Sequence, residues 1–111
     1  MTRMRSDDIS EENTNQELPM YATLRQYKNA QALVDAMSAK KDDVKKIISE
    51  VPGFVAYYAT REGDTMTSVS VFNDKAGSDE STKRARQWVA ENVKSAVGAP
   101  QISGGEVFIS F

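Results

Sequence analysis

Residues 54–72, FVAYYATREGDTMTSVSVF, hold two strand-forming runs on either side of a glycine–aspartate pair. Phe54 to Thr60 and Met66 to Phe72 are rich in aromatic and β-branched residues and alternate in polarity. That pattern suits extended chain on a half-buried sheet. Between them, Glu62-Gly63-Asp64-Thr65 predicts a tight hairpin, with Gly63 free to take the positive φ of a type II′ turn. If Gly63 and Asp64 form the turn, Arg61 lies opposite Met66 and Tyr57 opposite Ser70. A three-residue loop would instead flip one strand relative to the other.

Working outward, Val51-Pro52-Gly53 stops a helical period that spans Ala30 to Glu50. Leu33, Ala36, Met37, Val44, Ile47, Ile48 and Val51 form its apolar stripe. The run Lys40, Lys41, Asp42, Asp43, Lys45, Lys46 lies mostly off that stripe and reads as a solvated face. Ahead of it, Met20 to Tyr27 (MYATLRQY) is a first strand, bounded by Pro19 and Asn29. Beyond the hairpin, Asn73 or Asp74, or else Ser78, caps a second helix running to about Val97. Its stripe is Ala85, Trp88, Val89, Val93 and Ala96, and Gly98 and Pro100 end it. Ile102 to Phe111 (ISGGEVFISF) is a fourth strand, weakened at its start by Gly104 and Gly105. The order β-α-β-β-α-β predicts an α+β, ferredoxin-like domain over residues 20–111. Such a domain has a four-stranded antiparallel sheet with both helices on one face.

Length and composition agree with a single domain: 111 residues, 40% apolar and 27% charged. The chain has no cysteine and no histidine. Disulfides, thiolate nucleophiles, sulfur- or imidazole-ligated metals and histidine-based triads are therefore excluded, as is haem held by either residue. Fourteen basic against sixteen acidic residues leave a net charge of −2, which argues against a nucleic-acid partner. The first nineteen residues carry Asp7, Asp8, Glu11, Glu12 and Glu17 against Arg3 and Arg5, show no apolar period, and are expected to form a disordered tail. No apolar run follows the arginines, and the longest one, Phe54 to Ala59, is too short to span a bilayer. A cytoplasmic protein without membrane contact is the expectation.

Strand alternation predicts which residues share a face. Ala22, Leu24, Phe54, Ala56, Tyr58, Val69, Val71, Val107 and Ile109 are expected beneath the helices. The opposite face then receives Tyr21, Thr23, Arg25 and Tyr27, then Val55, Tyr57 and Ala59, then Ser68, Ser70 and Phe72, and finally Glu106, Phe108 and Ser110. No helix remains to cover those aromatic rings, so a second copy of the sheet is the expected cover, giving a homodimer. Arg25 and Glu106 would be costly to bury unless paired with each other or facing a solvated pocket. Tyr21, Tyr57, Ser68 and Ser70 are placed to orient a small organic ligand by hydrogen bonds.

The segments YxxLRxY (Tyr21–Tyr27), VPGFVAYYA (Val51–Ala59), the Gly63-Asp64 hairpin, SVSVFxDxAG (Ser68–Gly77) and ARxWV (Ala85–Val89) give a family resemblance. Over about residues 20–111 the chain resembles the dimeric α/β-barrel superfamily, in its antibiotic biosynthesis monooxygenase-like branch. The resemblance implies a dimer with a sheet-lined cavity and cofactor-free oxygenation of a small aromatic or quinol-like substrate. It also implies an Asn and a Trp four residues apart on the third strand. The matching positions are Ser68 and Phe72, which supply a hydroxyl and no N–H. The haem-degrading branch needs an axial histidine, which this chain does not have.

Two functions follow. One is a monooxygenase or related enzyme binding its substrate through Tyr21, Arg25, Tyr57, Ser68, Ser70 and Phe72, with Glu106 as the candidate base and no metal or cofactor. The other is a non-catalytic small-ligand-binding or dimerisation module.

Overall fold

The structure is a computed structural model that describes residues 19–94 and 97–111. The expected tail therefore lies, apart from Pro19, outside the described residues. The elements are β1 (Tyr21–Tyr27), α1 (Gln31–Ala39), α2 (Lys41–Ser49), β2 (Phe54–Glu62), β3 (Thr65–Phe72), α3 (Lys75–Asn92) and β4 (Gln101–Glu106). The sheet order is β2-β3-β1-β4, and every neighbouring pair is antiparallel. This is the ferredoxin-like α+β fold expected from the element order.

The hairpin has the two-residue register: Arg61 faces Met66 and Tyr57 faces Ser70. Gly63 sits at φ 60°, the value required of the first residue in a type II′ turn. Gly53, at φ 85°, turns the chain from the helical layer into β2. A bulge between Phe54 and Ala56 then shifts Phe54 onto the same face as Tyr57.

The helical layer differs from expectation in two places. Residues 30–50 form two helices, because the backbone leaves helical geometry at Lys40 (φ −120°, ψ 40°). Neither glycine nor proline marks this break. It is tied across the layer by Lys40 Nζ, which donates to Asn92 Oδ1 at 2.7 Å. The second difference is that α3 ends at Asn92, well before Val97. Asn92 Nδ2 donates to the Trp88 carbonyl at 2.9 Å and so satisfies one of the carbonyls left open at the helix end. At its other end Asp74 is the cap, accepting from the Gly77 amide at 2.9 Å.

β4 stops at Glu106 because its partner runs out: Glu106 lies opposite Tyr21, the first residue of β1. One further bond joins the Val107 amide to the Met20 carbonyl. Val107 and Ile109 therefore lie beyond the strand, and Phe108, Ile109 and Phe111 are exposed.

The largest correction concerns the two faces of the sheet. Thr23, Arg25, Tyr27, Met66, Ser68, Ser70 and Phe72 are the buried strand residues. They pack beneath the helices with Leu33, Val44, Ile48 and Trp88, and the Thr23 hydroxyl bonds to Ser78 of α3. Ala22, Leu24, Ala56, Tyr58, Val69 and Val71, expected as core, occupy the open face, where Leu24 is 40% and Tyr58 64% exposed. Phe54 alone among the residues of that set within strands stays on the helix side, brought there by the bulge.

The inversion has a physical reason in α3. Ser78, Ser81 and Thr82 fall on the same helical stripe as Ala85, Trp88 and Val89, one to two turns earlier. The helix thus presents hydroxyls to the sheet along its first half, and the polar strand face is the one that can bond to them. Packing there is close. A Cβ added at Gly77 would stand 2.9 Å from the Pro52 carbonyl oxygen and 3.0 Å from the Phe72 ring.

Candidate functional site

Arg25 projects from the middle of β1 into the layer between sheet and helices and is 2% exposed. Burying an ionised group costs several kcal/mol even after relaxation, so its partners matter. One terminal nitrogen donates to Thr82 Oγ1 at 2.6 Å and the other to Ser70 Oγ at 2.7 Å. Both acceptors are neutral. Desolvation lowers the guanidinium pKa from its usual value, opposed by the nearby Tyr57 and Tyr27 phenols. Of the two alternatives that the sequence left for Arg25 and Glu106, pairing with each other does not occur within the chain. Arg25 stands opposite Ile102, four residues from Glu106 along β4, a separation of about 13 Å at strand rise.

Next to the guanidinium is an interior cavity of about 30 Å³, lined by Arg25, Tyr27, Tyr57 and Ser68 and walled by apolar side chains including Leu33, Met37, Ile48 and Trp88. It has room for one or two water-sized groups. The Ser68 hydroxyl, fully enclosed, finds no hydrogen-bond partner among the described residues. It lies near enough to the Tyr57 phenol to favour the ionised form slightly, yet outside hydrogen-bond geometry. Burial dominates for that phenol and raises its pKa against the pull of Arg25, and burial does the same to Tyr27. Both tyrosines are therefore neutral donors at neutral pH.

Beside the cavity lies a groove of about 490 Å³ between α2 and the edge of β2. Met37, Val44, Ile48 and Tyr57 line both spaces, Phe54 and Ala59 extend the apolar floor, and Lys41 and Lys45 stand among the groove's lining residues. A groove of this size is in the range that holds small organic molecules. On the far side of Arg25, toward β4, a second pocket of about 270 Å³ is lined by Tyr27, Thr82 and Arg86.

The structure thus brings together three of the residues expected at the site, Arg25, Tyr57 and Ser68, with Ser70 holding the guanidinium behind them. They meet under the helices, not between two sheets. Phe72 is wholly buried and packs edge-to-face on Phe54, ring centroids 5.8 Å apart. Tyr21 stands apart, near Lys75 in the cleft between α3 and β4. Glu106 is exposed at the end of β4, away from Arg25. Trp88 is core, as its place on the helix stripe indicates, and also forms part of the cavity wall. Sequence reasoning missed Thr82 and Tyr27 as site residues. The signal was the Ser78–Ser81–Thr82 spacing, which marks a polar stripe needing a polar partner. Among the described residues no cluster of acidic side chains is placed to hold a metal ion, and no helix is long and apolar enough to cross a membrane.

No protein-family profile and no curated protein matches the chain. Solved structures do. A Bordetella bronchiseptica protein described as a candidate antibiotic biosynthesis monooxygenase superposes with a TM-score of 0.63 at 11% identity, over 82% of this chain and 99% of that one. SnoaB, a cofactor-independent oxygenase from Streptomyces nogalater, gives 0.59 at 12% identity, over 83% and 96%. The fold is that of the antibiotic biosynthesis monooxygenase-like proteins. A Nitrosomonas europaea protein of unknown function shares it as well, with a TM-score of 0.59 at 17% identity over 86% of this chain and 95% of that one. At these identities the likeness is one of fold, and the fold hosts many functions.

Proposed function

We propose that the protein binds a small planar aromatic or quinol-like molecule in the α2–β2 groove, with an oxygen of the ligand at the Arg25 end, and oxygenates it without a cofactor. The observation that carries this reading is the cavity itself: a buried cation, an unpartnered hydroxyl and a phenol at the inner end of an apolar, ring-sized groove. The fold shared with a cofactor-independent oxygenase supports the same reading.

For an anthrone-type substrate the balanced reaction is ring CH₂ + O₂ → ring C=O + H₂O. One oxygen atom ends in the new carbonyl and the other in water with the two former C–H hydrogens. The protein's part is to exclude water from the ring and stabilise the oxygen-centred anion that the substrate forms on losing a proton. Ser68 and Phe72, in place of an amide and an indole, favour a second reading, in which the same site binds its ligand without turnover.

Oxygen uptake with dithranol and with a series of hydroquinones separates the two. The expected result is consumption of one O₂ per dithranol converted, above the uncatalysed rate. Saturable binding with no uptake would leave the second reading in place of the first.

We further propose that two copies pair through the open faces of their sheets. Leu24 and Tyr58 lie exposed there beside the half-buried Val69 and Val71. Apolar surface of this extent is rarely left in water by a monomer, and two-fold pairing is its commonest cover. In this arrangement the ligand site lies inside each protomer, away from the dimer interface.

A further inference from the structure

Among the described residues no carboxylate stands within ion-pair distance of Arg25, although the side chain is almost wholly buried. Ser68, equally buried in the same cavity, has no partner for its hydroxyl. These two facts describe a positive charge met only by the neutral hydroxyls of Thr82 and Ser70, and a donor with no acceptor. Building on the small-molecule reading above, we propose that Arg25 selects the ligand by its ionised oxygen. A phenol or enol is held as phenolate or enolate, its oxygen seated among Arg25, Ser68 and Tyr57 and its ring in the α2–β2 groove.

The surroundings of the seat favour an anion from every side. Tyr27 on β1 and Tyr57 on β2 carry no charge at neutral pH. From α3 Arg86 lines the pocket beyond Arg25, and from α2 the charged groups that line the groove are Lys41 and Lys45. Among the described residues no carboxylate lines the cavity, the groove or that pocket. A neutral ligand would leave the guanidinium charge uncompensated, whereas an oxyanion neutralises it and accepts from Ser68 and Tyr57, the stronger kind of hydrogen bond. The size of the seat agrees, since about 30 Å³ admits the oxygen of a ring substituent and leaves the ring to the groove. An opposite charge within about 4–6 Å commonly moves an ionisation by about 1–3 pH units. The same shift applies to a ligand's hydroxyl.

The test uses the full-length protein and 4-nitrophenol, which absorbs in the visible only when ionised. Its bound form is expected to titrate at least about one pH unit below the free probe, so that phenolate binds about tenfold or more tightly than phenol. 4-Nitroanisole, with methyl in place of the acidic proton, is expected to bind at least about tenfold more weakly than the phenolate. Arg25→Met should abolish the displacement, and Arg25→Lys should keep part of it. Bound nitrophenol that titrates where the free probe does, or higher, would overturn selection by charge while leaving the small-molecule site intact. If neither probe binds, the site itself falls and the proposal with it. Should Arg25→Met not fold, the two probes on the unaltered protein still decide the matter.

Discussion

Aspartate at both Leu24 and Tyr58 is expected to leave the protein monomeric at micromolar concentration, where the unaltered chain is expected to run at about twice 12.3 kDa. Both side chains stand on the open face of the sheet, on β1 and β2. Burying an apolar side chain contributes roughly 1.5–3 kcal/mol, and two-fold symmetry counts each substitution twice. Four such losses amount to at least about 6 kcal/mol, a weakening of roughly 10⁴-fold before the cost of burying four carboxylates is added. Because these residues are far from the helices, the monomer should keep its fold and its ligand affinity. Light scattering and circular dichroism read both quantities. A double variant that remains dimeric would show that the open face is not the contact surface.

Phe72→Ala should produce the largest loss of stability. The ring is wholly buried and meets Phe54 edge-to-face, with Gly77 of α3 closing over it. Truncating a phenylalanine in such a place costs about 3–5 kcal/mol, a large share of the roughly 5–15 kcal/mol that holds a domain of this size together. The measurement is the urea midpoint, which should fall steeply with an unchanged denaturant slope. A loss below about 1 kcal/mol would mean that the ring is not structural, leaving it free to act as ligand wall. Phe72 therefore serves as a check on the site's extent, because the cavity proper begins at Ser68, two pleat repeats away on the same strand face.

How far the sequence alone leads is clear from particular residues. Gly63-Asp64 dictated the turn, the turn dictated the register, and the order of six periodic segments left one topology. The orientation of the sheet could not be read the same way. Both faces of β1 and β3 carry strand-forming residues, and the more apolar set, with Leu24, Val69 and Val71, was the natural choice for the core. What decides the matter is tertiary: α3 brings Ser78 and Thr82 down onto the sheet, where Thr23 and Arg25 bond to them, while Ser81 turns its hydroxyl back to the Ser78 carbonyl. The chain breaks at Lys40 and Asn92 were hidden for a related reason. Each is held by a side-chain hydrogen bond, one across 52 residues of sequence and one to a carbonyl within the same helix, and neither needs a glycine or proline. The candidate residues themselves were largely legible. Arg25, Tyr57 and Ser68 lay on one strand face in either orientation, so inverting the sheet moved the cavity without dispersing the group. Glu106 was lost because its strand carries it four residues past Arg25 to an exposed end.

The central claim is that a ligand enters between the sheet and the helices, at the polar face, and the chain's one tryptophan reports on it. Trp88 lines the cavity wall and is 8% exposed, so its emission is expected to respond to a nitroaromatic held there. Titrating 4-nitrophenol into the protein, with binding followed in parallel by calorimetry, should give saturable quenching of Trp88 with one ligand per chain and a single affinity in both signals. Calorimetric binding that leaves Trp88 emission unchanged would place the ligand on another surface and contradict the account.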